Sequence, residues 1–260
     1  YILAGLTYIP IVLTLRRYSS DFNFTIILFI TMMIFYTGFN GVRQFIAASI
    51  CFSAYPLLYK RNYIKYILIV IIAYLFHSTA LLMIPLAFFV TRKSWSKTVN
   101  ITVIVLIISV AALPSIWNFI INFLDTIGQE KMANDYSNFN HEDGGVNVLR
   151  VLVAAVPVLI SLFFYKRLKV LNPKIDILIN MSLLNLIFMM FGTQLTVLAR
   201  LSFYFNIFNV LLIPEFARLF HGKDRIIFKS ITILLYFMYM LAILPVDSNL
   251  LPYRFIFNRF

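Results

Sequence analysis

The stretch YTGFNGVRQFIAASICFSAYPLLY, Tyr36 to Tyr59, places one arginine inside a long apolar run. Arg43 is followed by Gln44 and has no acid near it in sequence. A charge in or beside a membrane span is costly, so it usually has a task or a partner. The residues after it are small: Ala47, Ala48, Ser49, Cys51, Ser53 and Ala54. Small side chains let helices approach closely in lipid, which puts this segment near the centre of a bundle. Arg43 then opens onto a cavity at the mouth of that helix. The alternative is a side chain that snorkels to the outer headgroups. Gln44 lies about 100° round the helix from Arg43. There it can donate to a ligand oxygen or fix a neighbouring backbone group.

The rest of the chain fits that reading. Of 260 residues, 62% are hydrophobic and only 12% charged, against about 25% charged in a soluble domain. This composition describes an all-α, polytopic integral membrane bundle, a single transmembrane domain over residues 1–260. The lone Cys51 excludes a disulfide framework and a thiolate metal site. Tyr1 opens in the middle of an apolar run without a signal-peptide layout, so an N-terminally incomplete chain is expected.

Polar breaks mark off about ten membrane segments. They are Tyr1–Leu15, Phe22–Phe39, Val42–Tyr59, Tyr63–Phe76, Thr79–Val90, Val99–Trp117, Val148–Tyr165, Ile175–Gly192, Ala199–Phe216 and Ile226–Leu244. Every second connection is basic: LRRYS, YKRNYIK, TRKSWSK, YKRLKVLNPK and ARLFHGKDRIIFK. These five hold sixteen of the 22 Lys and Arg residues. By the positive-inside rule they are cytoplasmic. The net charge of +12 is therefore an orientation signal, and nucleic acid drops out as a partner.

The polar chemistry gathers on the other side. Arg43, His77, Arg150, Arg200 and Arg254 are placed there. So is the one long loop, residues 118–147, with five of the ten acids, His141 and a Gly144–Gly145 hinge. That loop is a candidate lid, and Asp143 or Glu142 within it a candidate base, although a solvated loop is the usual reading of such a run. His77 sits where the chain turns, followed by Ser78 and Thr79. It can act as a base, donate to a phosphate, or simply be a hydrogen-bonded structural residue. Arg200 and Tyr204 are four apart, hence on one helical face, with Gln194 in the turn before them. Arginines that converge without acids call for an anion, and the planar guanidinium suits phosphate. In a membrane the obvious phosphate ligand is a lipid head group; a lipid diphosphate is one reading, and held this way it becomes a stabilised leaving group. No P-loop, GxGxxG, HExxH or nucleophile elbow occurs. No metal site and no cofactor is expected.

The block GFNGVRQFIAASICFSAYPLLYKRNYIKYILIVIIAYLFHSTALLMIPL resembles the signature of the EpsG family of Wzy-like polysaccharide polymerases. The resemblance rests on Asn40, Arg43, Gln44, Ala47, Lys60, His77, Ser78, Ala80 and Leu81, with softer likeness in ARLSFYFNIFNVLLIP and LPYRFIF. It implies a bacterial inner-membrane, multi-pass glycosyltransferase, with a GT-C-like architecture as one form of the bundle. Such an enzyme moves a growing glycan from undecaprenyl diphosphate to the next lipid-linked repeat, building exopolysaccharide or capsule on the outer face. By the same resemblance Arg43 and Arg200 hold the diphosphate and His77 contacts the acceptor or a phosphate, while Gln44, Tyr204 and Arg254 are further candidate diphosphate contacts. His77 and Asp143 are the candidate catalytic groups. Membrane lipid and other polysaccharide-export proteins are the implied partners. A flippase of lipid-linked oligosaccharide and an O-antigen-type ligase are the rival readings; a flippase should show paired halves or broken helices in both repeats, and the sequence has no such symmetry.

Overall fold

The computed structural model describes residues 2–126 and 145–245. Among these there is no strand, and helices follow one another through short turns. Helix α1 is Ile2–Tyr18, and α2 (Phe22–Thr31) is capped by Asp21, which accepts from the Phe24 N–H at 3.2 Å. Met33 takes the left-handed conformation, φ 65°, and α3 (Ile34–Asn40) leaves α2 at 46°. Then come α4 (Val42–Ser53), α5 (Tyr55–Tyr59), α6 (Tyr63–Tyr74), a 3-10 segment at Ser78–Leu82 and α7 (Met83–Val90). Three long helices follow: α8 (Lys97–Thr126), α9 (Val148–Leu171) and α10 (Ile175–Gly192). The ninth expected segment is a series of short pieces. It runs through α11 (Thr196–Ala199), a 3-10 turn at Arg200–Ser202, α12 (Phe203–Asn206) and α13 (Asn209–Ala217), with a 53° bend before α13. Helix α14 is Gly222–Ile243.

The chain is a helical membrane protein. By length and apolarity four stretches can span a bilayer: Lys97–Ile116, Val148–Leu171, Ile175–Gly192 and Gly222–Ile243. The two bent pairs raise the number to six. Each of the ten expected segments is represented by helix, but Tyr63–Tyr74 and Ser78–Val90 are shorter than a bilayer requires. Val42–Tyr59 is interrupted at Ala54, just before Pro56, whose ring supplies no backbone donor. Helix α8 runs on to Thr126, into the stretch expected as loop, because apolar residues continue past Pro114.

Burial separates an inner layer from an outer one. The span α10 is 72% buried, whereas those in α8, α9 and α14 are 11%, 22% and 17% buried. All nine residues of α13 are buried, as are Gln44 to Ser49, Cys51 and Phe52 of α4. The expected central place of the small-residue helix is what the structure has. Ala47 and Ala48 have no exposed surface, and Ser49 donates to the Thr7 carbonyl of α1 at 2.6 Å. Lipid offers no hydrophobic gain for helix association, so such close packing and internal hydrogen bonds hold the bundle.

The five basic connections meet at one end. Lys229 pairs with Asp21, and Tyr18 meets Tyr55 edge-on with ring centroids 5.4 Å apart. Arg61 donates to the Thr91 carbonyl at 3.5 Å, and Lys174 lies over the Tyr59 ring. Asp176 joins two connections: its Oδ1 accepts from the Ser94 N–H and from the Tyr165 hydroxyl, each at 2.9 Å, and Oδ2 pairs with Lys169. Helix direction therefore places Arg43, His77 and Arg200 together at the opposite end.

Candidate functional site

Three segments build that opposite end: the first turn of α4, the turn after α6, and the short pieces around Arg200. Close approaches position them. A Cβ on Gly41 would lie 3.2 Å from the Phe203 ring, so glycine lets the start of α4 rest on α12. A Cβ on Gly192 would lie 2.5 Å from that of Ala199, so the turn from α10 into α11 folds tightly back on itself. Phe45 meets Phe203 edge-on, centroids 6.4 Å apart. These contacts set the position from which the exposed Arg200 projects.

Gln44 is buried, and its amide nitrogen donates to the Arg200 carbonyl at 3.1 Å and to Thr79 Oγ1 at 3.4 Å. Of the two roles open to it, fixing a neighbouring backbone group is the one seen. Thr79 is the hub of the network. Its hydroxyl lies 2.7 Å from His77 Nδ1 and 3.0 Å from the Tyr204 hydroxyl, and its N–H donates to His77 Nδ1 at 3.4 Å. Tyr204 is buried beneath the site, whereas Arg43 and Arg200 are exposed and His77 is half-exposed. The 3-10 turn at Arg200–Ser202 separates the arginine from the tyrosine. One side chain of this pair is exposed and the other buried.

Burial is the main cause that lowers the His77 pKa below its ordinary value, and the positive charges of Arg43 and Arg200 lower it further. The ring lies in the turn between α6 and the 3-10 segment and stays neutral near neutral pH. The acids whose side chains are described, Asp21, Asp176, Glu215 and Asp224, belong to the basic end. Among the described residues no carboxylate therefore lies beside the two guanidiniums.

Thr79 is the residue that sequence reasoning passed over. Its place two residues after His77 hints at a local turn bond, but its partners on α4 and α12 are not legible in sequence. Asp143, Glu142, His141 and Arg254 lie outside the described residues, as does most of the loop expected at 118–147. From its described end, Val146 donates to the Gly192 carbonyl at 2.9 Å, which ties the entry to α9 onto the Arg200 turn. An apolar groove of about 580 Å³ is lined by Val153, Pro157, Phe216, Leu235 and Tyr236 and holds none of the residues selected from sequence. A smaller one of about 40 Å³ lies beside both helix breaks, lined by Met33, Arg150, Ser202, Phe203 and Asn206.

The sequence pattern of the EpsG family matches residues 1–255, nearly the whole chain. The chain belongs to the EpsG family. Membership ties this EpsG-family protein to polysaccharide biosynthesis and agrees with its membrane helices. No curated protein and no solved structure matches it.

Proposed function

We propose that this EpsG-family protein is a membrane glycosyltransferase of Wzy-like polymerase type. It joins repeat units carried on undecaprenyl diphosphate into exopolysaccharide or capsule, on the outer face of the bacterial inner membrane. The observation that carries the reading is the meeting of Arg43, Arg200 and His77 at the end opposite the basic connections, with no described carboxylate beside them. A diphosphate supplies the charge those guanidiniums call for.

In the reaction, an acceptor sugar hydroxyl attacks the anomeric carbon of the donor glycan. The bond from that carbon to the carrier phosphate breaks, and the diphosphate takes the electron pair. Arg43 and Arg200 stabilise the charge that develops. Gln44 and Tyr204 hold the frame from behind. Arg254 is a further phosphate contact, and Asp143 the candidate acceptor of the hydroxyl proton. The shorter segments complete a ten-segment, GT-C-like bundle, with the part of the expected 118–147 loop that follows α8 as its lid.

Arg43→Ala and Arg200→Ala in the full-length protein test this, with lipid-linked glycans separated by length on a gel. Single repeats should accumulate on the outer leaflet and long chains should vanish. Normal chain length in both variants would sink the assignment. The bends of 46° and 53° favour a second reading, a flippase for lipid-linked oligosaccharide, because broken helices line transport sites. Repeats trapped on the inner leaflet would support the flippase.

A further inference from the structure

We propose that Thr79 locks the His77 imidazole as its Nε2–H tautomer, so that His77 is a hydrogen-bond donor to a phosphate oxygen of the bound diphosphate and not the general base. Thr79 is then a positioning residue that acts through His77. The proposal rests on the polymerase reading for the identity of the ligand, and on geometry alone for the tautomer.

The assignment follows from counting protons. The Thr79 N–H points at His77 Nδ1 at 3.4 Å, and a backbone N–H only donates. Nδ1 therefore presents a lone pair. The Thr79 hydroxyl has one proton, two lone pairs and three neighbours. The Gln44 amide nitrogen, oriented by its bond to the Arg200 carbonyl, only donates, and at 3.4 Å it occupies one lone pair. With Nδ1 unprotonated, the hydroxyl proton goes to Nδ1 across 2.7 Å. The second lone pair accepts from the Tyr204 hydroxyl at 3.0 Å. The Thr79 hydroxyl thus uses its proton and both lone pairs once, and the one lone pair of Nδ1 is shared between the hydroxyl at 2.7 Å and the more distant N–H at 3.4 Å. The other tautomer would set the Thr79 N–H against an Nδ1–H. An imidazolium would do the same, beside two guanidiniums.

The proton of the neutral ring is thus on Nε2. That atom has no protein partner among the described residues, on a half-exposed ring near Arg43 and Arg200. An N–H there suits an anionic oxygen. It has no lone pair to take a proton from a sugar hydroxyl. In the transfer step, the hydroxyl oxygen bonds to the anomeric carbon while the carbon–phosphate oxygen bond breaks. The hydroxyl proton goes to an oxygen acceptor, a carboxylate or the departing diphosphate, and His77 keeps its own.

Nitrogen NMR of the full chain labelled with ¹⁵N-histidine in detergent micelles reads the tautomer directly, with His77→Gln to assign the signal. An unprotonated Nδ1 with a protonated Nε2 is expected. Thr79→Val should mix the tautomers, and Thr79→Ser should restore the wild-type pattern. Added inorganic diphosphate should shift the Nε2 signal in the wild type, and less so in Arg43→Ala. A protonated Nδ1, an unchanged signal in Thr79→Val, or an Nε2 signal indifferent to diphosphate would each overturn the proposal.

Side-chain mimicry gives the second arm. A glutamine amide reaches the place of Nε2, whereas an asparagine amide reaches only that of Nδ1. His77→Gln should keep long-chain synthesis within about ten-fold of wild type, while His77→Asn and His77→Ala lose about 100-fold or more. Glutamine as inactive as alanine would make His77 the base and end the donor assignment. If instead Arg43→Ala and Arg200→Ala leave chain length normal, the polymerase reading falls, and the NMR pattern still decides the tautomer.

Discussion

The Gln44 amide donates to the backbone carbonyl of Arg200 at 3.1 Å, across 156 residues of chain. This bond makes the start of α4 and the turn before α12 one unit. It holds the backbone behind one arginine to the residue next to the other. Gln44→Met keeps the volume and removes both donors, leaving the Arg200 carbonyl with the Phe203 N–H alone. Loss of a hydrogen bond of this kind costs about 0.5–1.5 kcal/mol. The expected result is a lower melting temperature in detergent together with shortened glycan chains. A variant with wild-type melting and chain length would remove Gln44 from the site.

Gly145 has φ +69°, and a Cβ there would lie 2.4 Å from the Thr193 carbonyl oxygen. Backbone, which cannot swing aside as a side chain can, stands in the way. Gly145→Ala should therefore destabilise by about 2 kcal/mol or more. It should also loosen the attachment of α9 to the Arg200 turn. Thermal melting measures the first effect, and susceptibility of residues near Gly145 to added protease measures the second.

The lowered His77 pKa gives a pH prediction with a definite sign. The unfolded chain binds a proton at this histidine more readily than the folded one. Its effect on stability is thus absent at high pH, and becomes a penalty as pH falls below the unfolded value of about 6.5. A function that needs neutral His77 should persist at pH values where an ordinary histidine is already charged. Arg43→Gln or Arg200→Gln removes a positive neighbour and should move the His77 titration to higher pH. Following the ring signal with pH in each variant checks this; a shift to lower pH would contradict the placement of the arginines.

The sequence carried the helical class, the membrane setting and the sidedness signal, because composition and charge alternation are properties of whole segments. It also placed Arg43, His77 and Arg200 on one side, and they do meet. The geometry between them was hidden. Periodicity over Ala199–Phe216 reads as one helix, yet Arg200–Ser202 forms a 3-10 turn and the chain bends before Asn209. Apolar residues alone do not reveal such breaks, since each short piece keeps helical spacing. Thr79 stayed unnoticed for a related reason: its partners Gln44 and Tyr204 are 35 and 125 residues away. Only packing brings three neutral polar groups of that kind together.

At the basic end, Asp176 offers a control far from the arginine site. Its carboxylate accepts from the Ser94 N–H and the Tyr165 hydroxyl and pairs with Lys169, and Ser94 also donates to Asn180 Oδ1 at 2.9 Å. The Asn180 amide in turn donates to the carbonyls of Val90 and Arg92, at 3.1 and 2.8 Å. Asp176→Ala strips the acceptor from a backbone N–H, a phenol and an ammonium at once. Because Lys169 is partly exposed and can turn to water, the loss is dominated by the two neutral donors, about 2–3 kcal/mol. The melting temperature should fall, while the protein that remains folded binds inorganic diphosphate as the wild type does. Asp176→Asn keeps one acceptor oxygen and should recover about half of the loss. A diphosphate affinity that falls in step with stability would show the two ends to be coupled. A change in neither would leave Asp176 without the structural role its three bonds describe.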